Sequence, residues 1–338
     1  MKRIIISLAV LVSSTFGVLA QSSLVATLAH GDNVTYYYGE SALGDAYNAA
    51  LDGDCIILSP GTFTAVSSIE KAITIRGAGM RGDVNLGTTL YGTFEINIAD
   101  KRSFPVVIES VQCYCRIIKG ALEQEVHFIK VSNNEDLYLY SCSPKFIQSI
   151  IGKVVSTEYN ENGVNNVYAY FDNCVVYLPC NGENNGSGYF FQNCVIGSTV
   201  RNLYRSSLSN CIIIGWDGNY HSSPLNTTNC AECCVGMVTY SYADPAAANH
   251  FSNMVNTTNR MVTDASAFFK TCNTSYDFGD YQLTDAAQTE YKGNDDTQVG
   301  LYGGANPLNF KPMNPQVTKF AVSTTTESGI LKVKINVE

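Results

Sequence analysis

Three short stretches constrain this chain more than any other feature. FDNCVVYL (171–178), FQNCVIGS (191–198) and LSNCIIIG (208–215) repeat one pattern. Each has a large apolar residue, a polar spacer, Asn, Cys and then two apolar, mostly β-branched residues. Aligning on cysteine brings in Cys142 and Cys230 as degenerate outer copies. The aligned set is Cys142, Cys174, Cys194, Cys211 and Cys230, spaced 32, 20, 17 and 19 residues apart. Cys113 is a weaker, earlier copy.

A period near twenty with short β-branched runs is the signature of a stacked solenoid. Side chains alternate along a strand, so Cys174 and Val176 face one way and Val175 the other. The Asn before each Cys is expected to make a bend in the left-handed region, which Asn tolerates better than most residues. That bend lets Phe171, three positions before Cys174, also point inward. Stacked Asn amides about 4.8 Å apart are expected to bond to one another as a ladder. The cysteines then read as small core residues in a column. In-register parallel neighbours hold their Cβ atoms about 4.8 Å apart, outside the usual disulfide range of about 3.5–4.5 Å. Reduced, buried thiols are the reading for the column. Cys113 with Cys115, and Cys233 with Cys234, stay open as oxidised pairs. No CxxC pairs with a second CxxC, so no metal site is assigned.

The ends set location and domain limits. Lys2 and Arg3, the apolar run 4–20 and the small-residue site ending at Ala20 read as a secretory signal peptide over residues 1–20. The expected location is secreted, periplasmic or on the outer cell surface, with no transmembrane segment. Removing Lys2 and Arg3 takes the net charge from −9 to −11. No basic patch is present, which excludes a nucleic-acid partner. Residues 42–51 fit an amphipathic helix with Ser41 as its N-cap. The triple Tyr36-Tyr37-Tyr38 is expected to cover the N-terminal cap. Three Asn-Pro or Lys-Pro steps between Asn306 and Pro315 mark a linker. Residues 317–322 and 330–337 then read as two strands of a hairpin. The domain reading is a β-helix with its cap over 21–304, then a linker and hairpin over 305–338, in a monomer.

ALGDAYNAALDGDCIILSPGTFTA (42–65), followed by KAITIRGAG (71–79), resembles the opening of right-handed parallel β-helix proteins of the pectate-lyase-like superfamily. DYQLTDAAQTEYKGNDDTQVGLYGG (280–304) looks like the closing segment of secreted β-helix proteins of gut Bacteroidetes. LVATLAHGDNVTYYYGE (24–40) adds to the likeness. The resemblance implies an all-β fold: one right-handed parallel β-helix, an N-terminal capping helix and a C-terminal hairpin. It implies architecture and location, not chemistry. In enzymes of that superfamily it would suggest a polysaccharide lyase, hydrolase or epimerase, with a Lys or Arg base beside an acidic cluster holding calcium, or paired carboxylates.

Candidates for such chemistry are sparse. Arg201 and Arg205 are the catalytic candidates. Lys119, Lys130 and Lys145 are isolated cations. Asp52 with Asp54, Asp217 with Asn219, and Asp295 with Asp296 lie beside glycines, where a turn role outweighs calcium binding. His30, His127, His221 and His250 are scattered, and no cofactor is assigned. The aromatic residues carry more. Tyr138, Tyr170 and Phe190 each precede the aligned Cys by four positions and are expected to face outward in one column, with Tyr140 and Tyr168 nearby. Such a stripe either packs under a loop or the C-terminal hairpin or meets the apolar faces of sugars. The sequence therefore favours a non-catalytic protein binding a polysaccharide, a cell-surface glycan or another cell-surface partner through its outer face. A polysaccharide-degrading enzyme is the alternative.

Overall fold

The computed structural model describes residues 24–80, 87–156, 166–181, 188–196, 207–214, 238–240, 260–262, 268–270, 281–308, 317–322 and 333–337. The chain is an all-β solenoid of mostly parallel strands, a parallel β-helix. Successive passes build three faces. The first stacks Cys55–Leu58, Thr74–Arg76, residues 106–109 and 125–129, Ser143–Ile147, Tyr168–Asp172, Gly188–Gln192 and Ser207–Ser209. The second continues each pass beyond a bend, ending in Ile212–Ile214, Val238–Tyr240 and Arg260–Val262. The third carries Phe94–Ile98, Cys115–Gly120, Leu137–Tyr140 and the later parts of the two following strands.

Parallel register places like on like. Inside the first face, Ile75, Ile108, Phe128, Phe146, Phe171, Phe191 and Leu208 form one column. Its phenylalanines stack at 5.1, 4.8 and 4.7 Å between ring centres. Each buried Phe contributes on the order of 2–3 kcal/mol by leaving water.

The bend between the first and second faces is left-handed at each of the six described passes from Ser110 to Asn210. Ser110, Lys130, Gln148, Asn173, Asn193 and Asn210 all have φ between 49° and 54°. The bend expected at the repeat Asn is therefore present. The rung alignment needs correction. Phe146 pairs with Phe171, so Ser149, not Cys142, precedes Cys174 in the inner column. Cys142 lies at a different corner, after Leu137–Tyr140, where Leu139 stacks on Ile118 of the third face. Cys113 is likewise outside the column, because it aligns with Asn133 and Ile151 on the second face. The column is Val111, Val131, Ser149, Cys174, Cys194 and Cys211. What the position requires is small volume, which Ser and Val also supply.

The thiols at 55, 113, 115, 142, 174, 194 and 211 are free, so Cys113 and Cys115 form no bridge. Cys174 and Cys194 donate to backbone carbonyls inside the core. Burial pushes the Cys113 and Cys142 thiols up to about 12 and those of Cys115 and Cys194 well above their ordinary value. Cys230, Cys233 and Cys234 lie outside the described residues.

At the N-terminal end the helix Ala42–Ala49 buries Ala42, Leu43, Ala46 and Tyr47. Ser41 is not its side-chain cap: the residue is already helical, and its hydroxyl donates to Asp45 Oδ2 at 2.7 Å. The other end is held instead by Lys71. Its ammonium donates to the carbonyls of Tyr47, Asn48 and Ala50 at 2.7–3.1 Å, where the helix dipole is negative. Val25–His30 and Asn33–Tyr38 form an antiparallel hairpin that joins the first face through Cys55–Leu58. Only Tyr37 of the tyrosine triple packs on the core. Tyr36 and Tyr38 stand in solvent, so the triple is not a cover.

A second core lies outside the solenoid. Ile150, Val175, Val195 and Ile212 face outward from the second face, and the closing segment 281–308 covers them with Leu283, Val299, Leu301 and Leu308. Two of the three repeat asparagines, Asn173 and Asn210, hold that segment. Asn173 Nδ2 donates to the carbonyls of Leu301 and Gly303 at 2.8 and 2.7 Å. Asn210 exchanges bonds with Asn294. No Asn–Asn bond forms among Asn173, Asn193 and Asn210, so the expected amide ladder is replaced by this clamp. The glycines of the closing motif have a reason: Gly304 is left-handed at φ +71°, and a Cβ there would collide with the Asn193 amide. Further on, Val317–Val322 and Val333–Val337 pair antiparallel, as the hairpin reading requires. Among the described residues no helix is long and apolar enough to cross a membrane.

Candidate functional site

The register sorts the aromatic candidates into two groups. Tyr168, Tyr170 and Phe190 lie on the first face, in Tyr168–Asp172 and Gly188–Gln192. Tyr138 and Tyr140 lie on the third face, aligned with Ile117 and Lys119. The expected column of Tyr138, Tyr170 and Phe190 therefore does not exist. It failed for the same reason as the cysteine alignment: the residue preceding Tyr170 in the stack is Lys145. On the third face Tyr138 sits beside Lys153, which lies 6.0 Å from its ring centre and pairs with Asp136 at 2.7 Å. Lys119 pairs with Glu95 there.

Of the first-face group, Tyr170 and Phe190 line a groove of about 340 Å³, and Tyr168 does not. Two outward columns line it. One runs Lys145, Tyr170, Phe190, Ser207, and the other runs Ile147, Asp172, Gln192, Ser209. Tyr170 and Phe190 stack with ring centres 4.8 Å apart and planes 15° apart. Two rings stacked this way turn edges, not faces, toward the groove. Their free faces are at the ends of the stack, Tyr170 toward Lys145 and Phe190 toward Ser207. Among the described residues the neighbour on that side is Ser207, which is too small to cover the Phe190 ring. The flat apolar stripe expected from sequence is therefore one ring-sized platform flanked by polar groups. Tyr170 is 42% exposed, so the stack is open to solvent.

Asp172 is the groove's carboxylate. Asn306 of the closing segment donates to its Oδ2 at 3.0 Å. Asn306 is itself tied down, since Gln148 Nε2 donates to the carbonyls of Asn306 and Pro307 at 3.2 and 2.9 Å. The second core thus reaches the edge of the groove. Lys145 is the groove's cation. It stands next to His127 in the stack, where burial first and the Lys145 charge second hold the His127 imidazole below its usual range, against an opposing effect of Glu125.

A charged cluster that sequence reading did not assemble lies at the N-terminal end of the same face. Arg76 Nε donates to Glu109 Oε2 at 2.6 Å. Lys130 is near enough to Glu109 for the carboxylate to offset part of the burial that lowers the Lys130 pKa. Glu109 is 3% and Lys130 8% exposed. Glu109 and Lys130 are buried, while the Arg76 side chain is 37% exposed, so the network opens to solvent only at Arg76. The signal was the alignment of Arg76 with Glu109, visible only once register is known.

The remaining candidates are turn residues. Asp54 accepts from the Leu51 amide and bonds to His30 Nδ1, and Asp52 accepts from the Ala72 amide. Asp295 accepts from the Thr297 amide and hydroxyl. Among the described residues no three His, Cys, Asp or Glu side chains gather around a metal position. Arg201, Arg205, Asp217, Asn219, His221 and His250 lie outside the described residues. Comparison with family models and with curated proteins finds no match, so the parallel β-helix itself is what the chain shares with known architecture.

Proposed function

We propose that this is a secreted or surface-associated β-helix protein of the pectate-lyase-like type, as its sequence resemblance suggests, that binds an extracellular glycan without cleaving it. The observation that carries the reading is the open groove built on the Tyr170–Phe190 stack. A ring face beside a carboxylate, an ammonium, an amide and two hydroxyls supplies what a sugar needs: an apolar platform for its C–H face and bonding groups for its hydroxyls. The test is a glycan array with the purified mature protein, with and without calcium, each hit being checked for cleavage products. The reading expects binding without products, lost about tenfold or more in Phe190→Ala with the fold retained. Products appearing in a calcium-dependent way would replace it with a lyase. Binding that survives Phe190→Ala unchanged would remove the groove.

A further inference from the structure

The groove's own charges say what kind of glycan it takes. Asp172 lies in the column beside the aromatic stack, level with Tyr170 and between Ile147 and Gln192, so a chain of several sugar residues running along the groove from Phe190 would meet it. One of its oxygens is occupied by Asn306, which fixes the carboxylate in place. The other faces no hydrogen-bond donor among the described residues. A fixed carboxylate is an acceptor only. It rewards hydroxyl donors and repels a second carboxylate. Lys145, the cation among the described lining residues, does not cancel it: no ion pair joins it to Asp172 among the described residues, and the two stand in different columns.

We infer that the groove is selective for neutral, hydroxyl-rich glycan over uronate-type anionic glycan, with Asp172 as the residue that determines this and Asn306 as its positioning residue. The inference rests on the glycan-binding reading above. It adds a role for the closing segment. By carrying Asn306 to the groove's edge, the segment that seals the second core also sets the geometry of the binding carboxylate.

Matched probes separate the two levels. Tetrasaccharides of glucan, galactan and mannan are titrated calorimetrically beside the same compounds oxidised at C6 to the uronate, in EDTA. The neutral form of whichever sugar binds is expected to be at least tenfold tighter than its oxidised form. Asp172→Asn, close to isosteric, should weaken the neutral form about tenfold and shrink the gap below threefold. Asn306→Ala should weaken the neutral form a few-fold and leave the preference in place, because the charge remains. An oxidised form binding as tightly as the neutral one, or a gap untouched by Asp172→Asn, overturns the inference. Failure of all neutral probes to bind overturns it as well. Phe190→Ala is the control for the underlying reading. Loss of both forms upholds the groove even where selectivity fails, whereas no loss of either removes the groove itself.

Discussion

The outer surfaces of the first and second faces share one backbone plan and differ in fate. Each presents an outward column from the same passes of the solenoid. On the second face the column is Ile150, Val175, Val195 and Ile212, and the chain's own closing segment buries it. On the first face it is Lys145, Tyr170, Phe190 and Ser207, and it stays open as a groove. A solenoid thus leaves the choice of partner to the outward side chains. A wholly apolar column recruits the molecule's own chain. A mixed column of rings and polar groups is left for something in solution.

That contrast can be broken first at the seal. Leu301 is 1% exposed over the second face. Leu301→Ala should cost about 2–5 kcal/mol in chemical denaturation. Ile147→Ala, half-buried at the groove, should cost under about 1 kcal/mol. Equal costs would mean that the two faces are not differently covered. The clamp sharpens the comparison. Asn173→Gly keeps the left-handed bend, at φ 51°, but deletes two bonds to the closing segment. It should cost about 1–3 kcal/mol. Ser110→Gly, at the same bend on a pass without that clamp, should be close to neutral. Hydrogen exchange at the Gly303 and Leu308 amides should rise in the first variant and not in the second.

A further effect, silent near neutral pH, is spread over the core. Burial raises the thiols of Cys113, Cys115, Cys142 and Cys194 above the ordinary 9.0, to about 12 for Cys113 and Cys142. Above pH 9 the unfolded chain therefore loses protons that the folded chain keeps. Stability is fully present below about pH 9 and falls as pH rises toward 12, by roughly 1.4 kcal/mol per pH unit for each such thiol. Replacing Cys113 with Ala should flatten the alkaline limb of the stability profile. An unchanged limb would show that these thiols are not what unfolds the protein at high pH.

The solenoid, its left-handed bend, the inward Phe and Cys and the C-terminal hairpin were legible because each is a local pattern. The register was legible only in part. Aligning on Cys identity placed Cys142 where Ser149 belongs, because packing selects for size and the repeat was read by name. KFIQS (145–149) matches YFDNC (170–174) in the spacing of its aromatic and small residues, and that was the available signal. Moving the rung moved Tyr138 and Tyr140 to another face. The covered column also left a trace: Val175-Val176, Val195-Ile196 and Ile212-Ile213 are apolar at both parities, as strands buried on two sides must be. What covers them was not legible, since Asn173 and its carbonyl partners are separated by 128 and 130 residues. Nor was the meaning of Asp172, which depends on Asn306 arriving from that same distant segment.

The most direct measurement is amide hydrogen exchange of the mature protein with and without its best array glycan. The account predicts protection in 145–147, 168–172 and 188–192, around the groove, and none in 137–140 or at Lys153. Protection confined to the third face, with the groove unchanged, would contradict it and return the binding role to Tyr138 and Tyr140.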